Sequence, residues 1–189
     1  MTFDYAKEMT IEDFEEIIGE ETTMVAECVF NSSENSISSR KATIDGPDFE
    51  GNLVGYEERH SFWKDSSAEW IYCITYDGHI VKIGMTITSL RARYGSYLCG
   101  TRKAMFKGSC STTNFVINET NYAALMSGVN VEIHAIRLEK EKTARTRFGI
   151  TKEITMSVAR DYEEMVTDVF VEYAGHIPVL CVQKGDSTS

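Results

Sequence analysis

The sequence predicts an α/β (α+β) fold, with a small central antiparallel or mixed sheet flanked by helices and preceded by an N-terminal extension. Three observations lead there. Asp77-Gly78 joins two short strand-like runs, 70–76 and 79–84, and supplies the positive φ angles that a tight hairpin needs. A 3.6-residue apolar repeat over 158–173 stops at Gly175, which describes a long amphipathic helix. With 189 residues, 42% hydrophobic and 25% charged, the chain can bury a sufficient core without a disulfide or metal staple.

The elements follow in order. "TIEDFEEIIGEE" reads as a short helix, with Thr10 as N-cap, Asp13 three residues on, and Phe14, Ile17 and Ile18 on one side. "TTMVAECVF" is strand-like, and 31–52 is a polar, glycine- and serine-bearing connection. After the hairpin, "TSLRARYGSY" is a helix opened by Thr86 or Thr88. "NETNYAALMSG" is a second helix ended by Gly128, and "VNVEIHAIRL" alternates as a third strand. "EKEKTARTRFGITKE" is a polar, mostly basic excursion with a short strand at its end. In the last helix Val158, Tyr162, Met165, Val166, Val169, Phe170 and Tyr173 form one apolar stripe.

Charge divides the chain unevenly. Residues 1–69 hold 17 acidic and 5 basic residues, net -12, while the remainder holds 12 and 14, net +2. Between 82 and 107 stand six basic residues (Lys82, Arg91, Arg93, Arg102, Lys103 and Lys107) and no acidic one. The overall charge of -10 therefore does not exclude a polyanionic partner, because the local field acts at a binding surface. The acidic start lacks a basic segment with an apolar run behind it, and no stretch approaches the ~18 apolar residues that span a bilayer. The five scattered cysteines form no C-x-x-C pair and read as reduced thiols. A cytoplasmic protein is expected, with residues 1–66 an acidic extension packed on a 67–189 domain.

Several polar residues fall where core residues belong. Leu90, Arg93, Tyr94 and Tyr97 share one helix face, so a face that packs through Leu90 also carries an arginine. Such an arginine requires an internal partner or an anionic ligand. Lys82 lies between Val81 and Ile83 and, on simple alternation, faces away from them with Ile80 and Gly84. Tyr72, ten residues earlier on the partner strand, is its expected neighbour, and an ammonium beside a phenol favours phenolate. In the last helix Glu163 lines up with Ala159, Val166 and Phe170, whereas Glu164 lines up with Arg160 and Asp168 toward water. The carboxylate at the edge of the packed face, Glu163, is the better metal-ligand candidate, with Glu164 as the alternative.

"WIY", then "KIGMT" ten residues later, then "L..R...Y", a later strand and a helix bearing "YEEMV" together resemble the GIY-YIG nuclease superfamily, over about 60% of the chain. Trp70 stands where the first motif glycine usually is, and Lys82 replaces the second-motif tyrosine. That lysine resembles a branch of type II restriction endonucleases and related phage nucleases, as does the connection "YLCGTRKAMFKGSCSTTNF". The resemblance implies a Mg²⁺- or Mn²⁺-dependent DNA endonuclease. Tyr72 matches the first-motif tyrosine, Lys82 the substituted one, Arg93 the helix arginine, Tyr97 the tyrosine one turn later, and Glu163 the metal ligand. Arg91, Arg102, Lys103 and Lys107 are expected to contact the backbone of double-stranded DNA. Palindrome-cutting enzymes are commonly two-fold dimers, so a homodimer is the expected assembly. The rival expectation is a non-catalytic nucleic-acid-binding module, or a DNA-mimic inhibitor that retains the fold.

Overall fold

Asp77 and Gly78 take φ angles of 46° and 82°, as a two-residue hairpin loop requires. They fold β4 (Glu69–Tyr76) onto β5 (His79–Thr86) in the computed structural model, which describes residues 5–30, 40–41 and 53–181. β6 (Val131–Leu138) pairs with the other side of β4, then β1 (Thr23–Phe30), β3 (Leu53–Glu58) and β2 (Arg40–Lys41) complete the order β2-β3-β1-β6-β4-β5. Every pairing is antiparallel. The extension thus supplies strands to the same sheet as the hairpin. The connection expected over 31–52 lies outside the described residues apart from Arg40 and Lys41.

Helices cover both faces of the sheet. Along β4, Trp70, Tyr72, Ile74 and Tyr76 join a core with α2 (Leu90–Tyr97) and α4 (Thr112–Met126). Ile71 and Cys73 point the other way, into a second core with α1 (Ile11–Ile18) and α5 (Ala159–Ala174). A short α3 (Arg102–Phe106) links α2 to α4. Thr10 caps α1 through the Asp13 N–H, as expected. No helix among the described residues is long and apolar enough to cross a membrane.

Five local expectations change. Ser89, rather than Thr86 or Thr88, caps α2, accepting the Ala92 N–H at 3.2 Å. α4 begins six residues before "NETNYAALM", with Ser111 as its N-cap accepting the Asn114 N–H, and Asn118 lies buried inside the helix. The basic excursion is a full ribbon, β7 (Glu141–Arg147) paired with β8 (Ile150–Met156) apart from the main sheet. In β5 the register slips between Ile74 and Thr75, so Lys82 opposes Ile74, Ile80 opposes Thr75, and Val81 is the extra residue. The bulge breaks simple alternation: Ile80 and Ile83 share one core while Val81 enters the other. Finally, the buried side of α5 is Ala159 and Phe170, with Val158, Val166 and Ala174 packed beside them, while Tyr162, Met165 and Tyr173 stay exposed. The helix lies over β4 and the edge strand β5, so the sheet supports only part of its apolar stripe.

Candidate active site

Tyr72 is fully buried on β4, and its ring direction is fixed by what surrounds it. Tyr94 on α2 meets it edge-on at 5.3 Å between centroids, and itself packs against Tyr56, Trp63 and Tyr97. This aromatic wall leaves the hydroxyl pointing at two groups on α2. The Tyr97 hydroxyl lies 2.5 Å away, and Arg93 donates its Nε–H to the Tyr72 oxygen at 3.0 Å. The Arg93 guanidinium also sits over the Tyr97 ring, 4.8 Å from its centroid. One α-helical turn thereby presents a cation and a phenol to a phenol on the neighbouring strand.

Burial pushes the Tyr72 phenol well above its ordinary value; Tyr97 adds to the shift, and Arg93 opposes it. For Arg93, burial disfavours the charge, but the oxygens of Tyr72 and Tyr97 outweigh this and hold the guanidinium above its usual range. Among the described residues no carboxylate lies within ion-pair distance of Arg93. A half-buried cation whose described partners are phenols can still accept an anionic ligand.

Gly84 is the second-strand partner of Tyr72. A Cβ there would lie 2.5 Å from the Tyr72 hydroxyl oxygen and 2.6 Å from Cζ, so the ring lies directly across the glycine. The sequence shows a glycine in a strand, which signals close approach; the element that approaches is evident only in the fold. Lys82, two residues before it, opposes Ile74 and is nearly buried. Its ammonium donates to Cys181 Sγ at 3.4 Å, and Leu180 N–H bonds the Val81 carbonyl, so the segment after α5 runs along the outer edge of β5. The cation in direct contact with Tyr72 is therefore Arg93, and Lys82 stands diagonally along the strand from it.

Glu163 is half-buried on α5, and Glu164 is exposed. Both line a shallow hollow with Arg160, Thr167 and Asp168. α5 packs over the sheet face opposite Tyr72, so the helix bearing Glu163 and the tyrosine cluster lie on opposite faces of the sheet, and the hollow beside Glu163 is lined by α5 residues alone. Among the described residues no three His, Cys, Asp or Glu side chains gather as a closed metal cage. The oxygen donors here suit a hard cation of the Mg²⁺ or Mn²⁺ type, which takes one or two carboxylates and completes its shell with water and substrate oxygens. Arg91, Lys103 and Lys107 are exposed, and Arg102 forms an ion pair with Glu119 at 3.0 Å.

Sequence reasoning missed Glu69. It is buried at the start of β4, and one carboxylate oxygen accepts from Ser157 Oγ and from the N–H groups of Val158 and Ala159, each at 3.0 Å. Val158 offers α5 no side-chain cap, so a carboxylate from 89 residues away caps the helix that carries Glu163. Its only sequence signal was an acidic residue at the head of an apolar strand.

No family model and no curated protein matches the chain. The restriction endonuclease HPY188I, solved in complex with product DNA, aligns over 95% of this chain and 90% of its own, at 24% identity and a TM-score of 0.51. A mutant of bacteriophage T4 EndoII aligns over 92% of this chain and 99% of its own, at 19% identity and a TM-score of 0.45. The α+β fold, an antiparallel sheet between helices, is thus shared with that of a restriction nuclease.

Proposed function

We propose that this chain is a divalent-metal-dependent DNA endonuclease of the GIY-YIG type, sequence-specific in the manner of a restriction or phage enzyme. The observation that carries this reading is Arg93, clamped by Tyr72 and Tyr97 and lacking any carboxylate partner among the described residues. The fold likeness to an endonuclease solved with product DNA makes DNA the substrate to test first.

In this reading Tyr72 takes the proton from the attacking water. Arg93 is the cation that favours its phenolate against burial, Lys82 adds positive charge from its diagonal place on β5, and Arg93 with Tyr97 binds the non-bridging oxygens. Glu163 holds the metal ion, which when bound polarises the scissile phosphate and neutralises the leaving 3′-oxygen. The phosphodiester lies beside Arg93 on α2, clear of the Leu180–Cys181 segment that covers the β5 edge. Arg91, Arg102, Lys103 and Lys107 contact the DNA backbone, and two copies of the chain act on a palindrome. Residues 1–66 belong to the same folding unit, and the enzyme works in a bacterial or phage-infected cytoplasm.

The test is plasmid nicking by the purified chain in Mg²⁺ or Mn²⁺. Wild type should cut, whereas Arg93→Ala and Glu163→Gln should not, and Glu163→Gln should still bind DNA in Ca²⁺. Full cutting by Glu163→Gln with none by Glu164→Gln would move the metal ligand to its neighbour. Absence of cutting by wild type in either metal would overturn the enzymatic reading in favour of a binding module.

A further inference from the structure

The β7–β8 ribbon pairs over seven registers, yet it joins no other strand among the described residues, and all its residues are exposed except Thr143 and Ile154, which are half-buried. An isolated two-stranded ribbon gains little stability from itself. Its two faces differ in character. On one, Thr146 and Thr151 hydrogen-bond across the strands at 2.8 Å and Lys142 pairs with Glu153 at 3.7 Å. On the other, the register sets Arg145 opposite Lys152 and Arg147 opposite Ile150. Like charges directly opposed disfavour the pairing unless an anion lies over them. Glu141, at the base, is the one carboxylate on that face.

The tip repeats the pattern. Phe148 occupies a left-handed position, φ 55°, before Gly149 at 74°, where a tight loop prefers asparagine, aspartate or glycine. Its ring is 89% exposed, with the Arg147 guanidinium 5.2 Å from the centroid. Cations, an exposed aliphatic side chain and a solvent-facing aromatic tip suit a polyanion that also offers flat apolar surfaces. Duplex DNA offers both at once, phosphates for the cations and flat base steps for the ring.

The ribbon is also well placed. It leaves the sheet after Leu138, which pairs with Glu69, and returns at Ser157–Ala159, which Glu69 holds. Trp70 pairs with Thr86 at this same end of the sheet, where β5 leads toward α2 and Arg93. Seven residues per strand give an arm of about 24 Å, and a two-stranded ribbon fits the major groove of duplex DNA.

We propose that the β7–β8 ribbon is a DNA-engaging arm, with Arg145, Arg147 and Lys152 set against groove phosphates and the Phe148 ring stacked on a base step beside the cleavage site. The inference rests on the endonuclease reading and adds to it a second, separate contact with the same substrate.

The experiment uses the full chain in Ca²⁺ with short duplexes carrying 2-aminopurine at successive positions. Wild type should change the fluorescence at one step, and Phe148→Ala should abolish that change and weaken binding about tenfold. Arg145→Ala with Lys152→Ala should lower the slope of log affinity against log salt by about 2, since each lost phosphate contact removes about 0.9. Thr146→Ala with Thr151→Ala, on the opposite face, should leave the affinity and its salt slope unchanged. If wild type binds DNA and the Phe148 and Arg145/Lys152 variants match it in affinity, salt slope and fluorescence, the arm is refuted while the endonuclease reading stands. If wild type binds no DNA, both fall together.

Discussion

Replacing Gly84 with alanine tests the site through one methyl group. The new Cβ would sit 2.5, 2.6 and 2.9 Å from the hydroxyl oxygen, Cζ and Cε2 of Tyr72. Ordinary contact distances are about 3.5–4.0 Å, so the ring must retreat by about 1 Å. It has little room to do so, because Tyr72 is fully buried, Tyr94 blocks it edge-on, and Tyr97 and Arg93 hold its hydroxyl. Overpacking of this kind costs about 1–3 kcal/mol, and a catalytic group displaced by ~1 Å loses about a hundredfold in rate. At this chain length each kcal/mol lowers Tm by about 2–4 °C. Gly95, on α2, is the control, since nothing lies within 4 Å of its Cβ position; there alanine should stabilise the helix by about 0.5–1 kcal/mol. Thermal unfolding and plasmid nicking would be run on both variants. A Gly84→Ala protein with wild-type Tm and full nicking would refute the ring-over-glycine placement and the base role built on it.

Three further outcomes are expected. Glu69→Gln should lose about 1–3 kcal/mol in denaturant unfolding, because a buried charged acceptor of three hydrogen bonds is replaced by a neutral amide with a misplaced donor; an unchanged midpoint would remove its capping role. Since burial raises the Tyr72 phenol and the base form is phenolate, single-turnover cleavage should climb steadily with pH from neutrality toward ~10. A rate already flat at neutral pH would exclude Tyr72 as the base. Deleting residues 1–66 removes β1 and β3 together with Val25, Tyr56 and Trp63 and uncovers Tyr94 and the core around it, so the remainder should aggregate; a soluble fragment with a wild-type circular dichroism signal would make the extension separable.

The hairpin, the capping of α1 by Thr10, the α2 face bearing Arg93 and Tyr97, and the exposed Glu164 beside half-buried Glu163 were legible in the sequence. Each depends on turn chemistry or periodicity within a few residues, where steric rules act without regard to the rest of the chain. The tertiary structure decided features that depend on groups distant in sequence. The bulge at Val81 was invisible because cross-strand register, not local pattern, determines which residue is extra. Lys82 was read as the companion of Tyr72, but Arg93 came from the next helix to fill that place, and the segment after α5 took the lysine. Periodicity shows one apolar stripe on α5, but an edge strand supports only part of a helix, so Tyr162, Met165 and Tyr173 remain exposed. Glu69 acquires its role only when Ser157, Val158 and Ala159 arrive from across the fold. A strand residue's sequence tells which way it alternates, but its partner is chosen by the packing of the whole sheet.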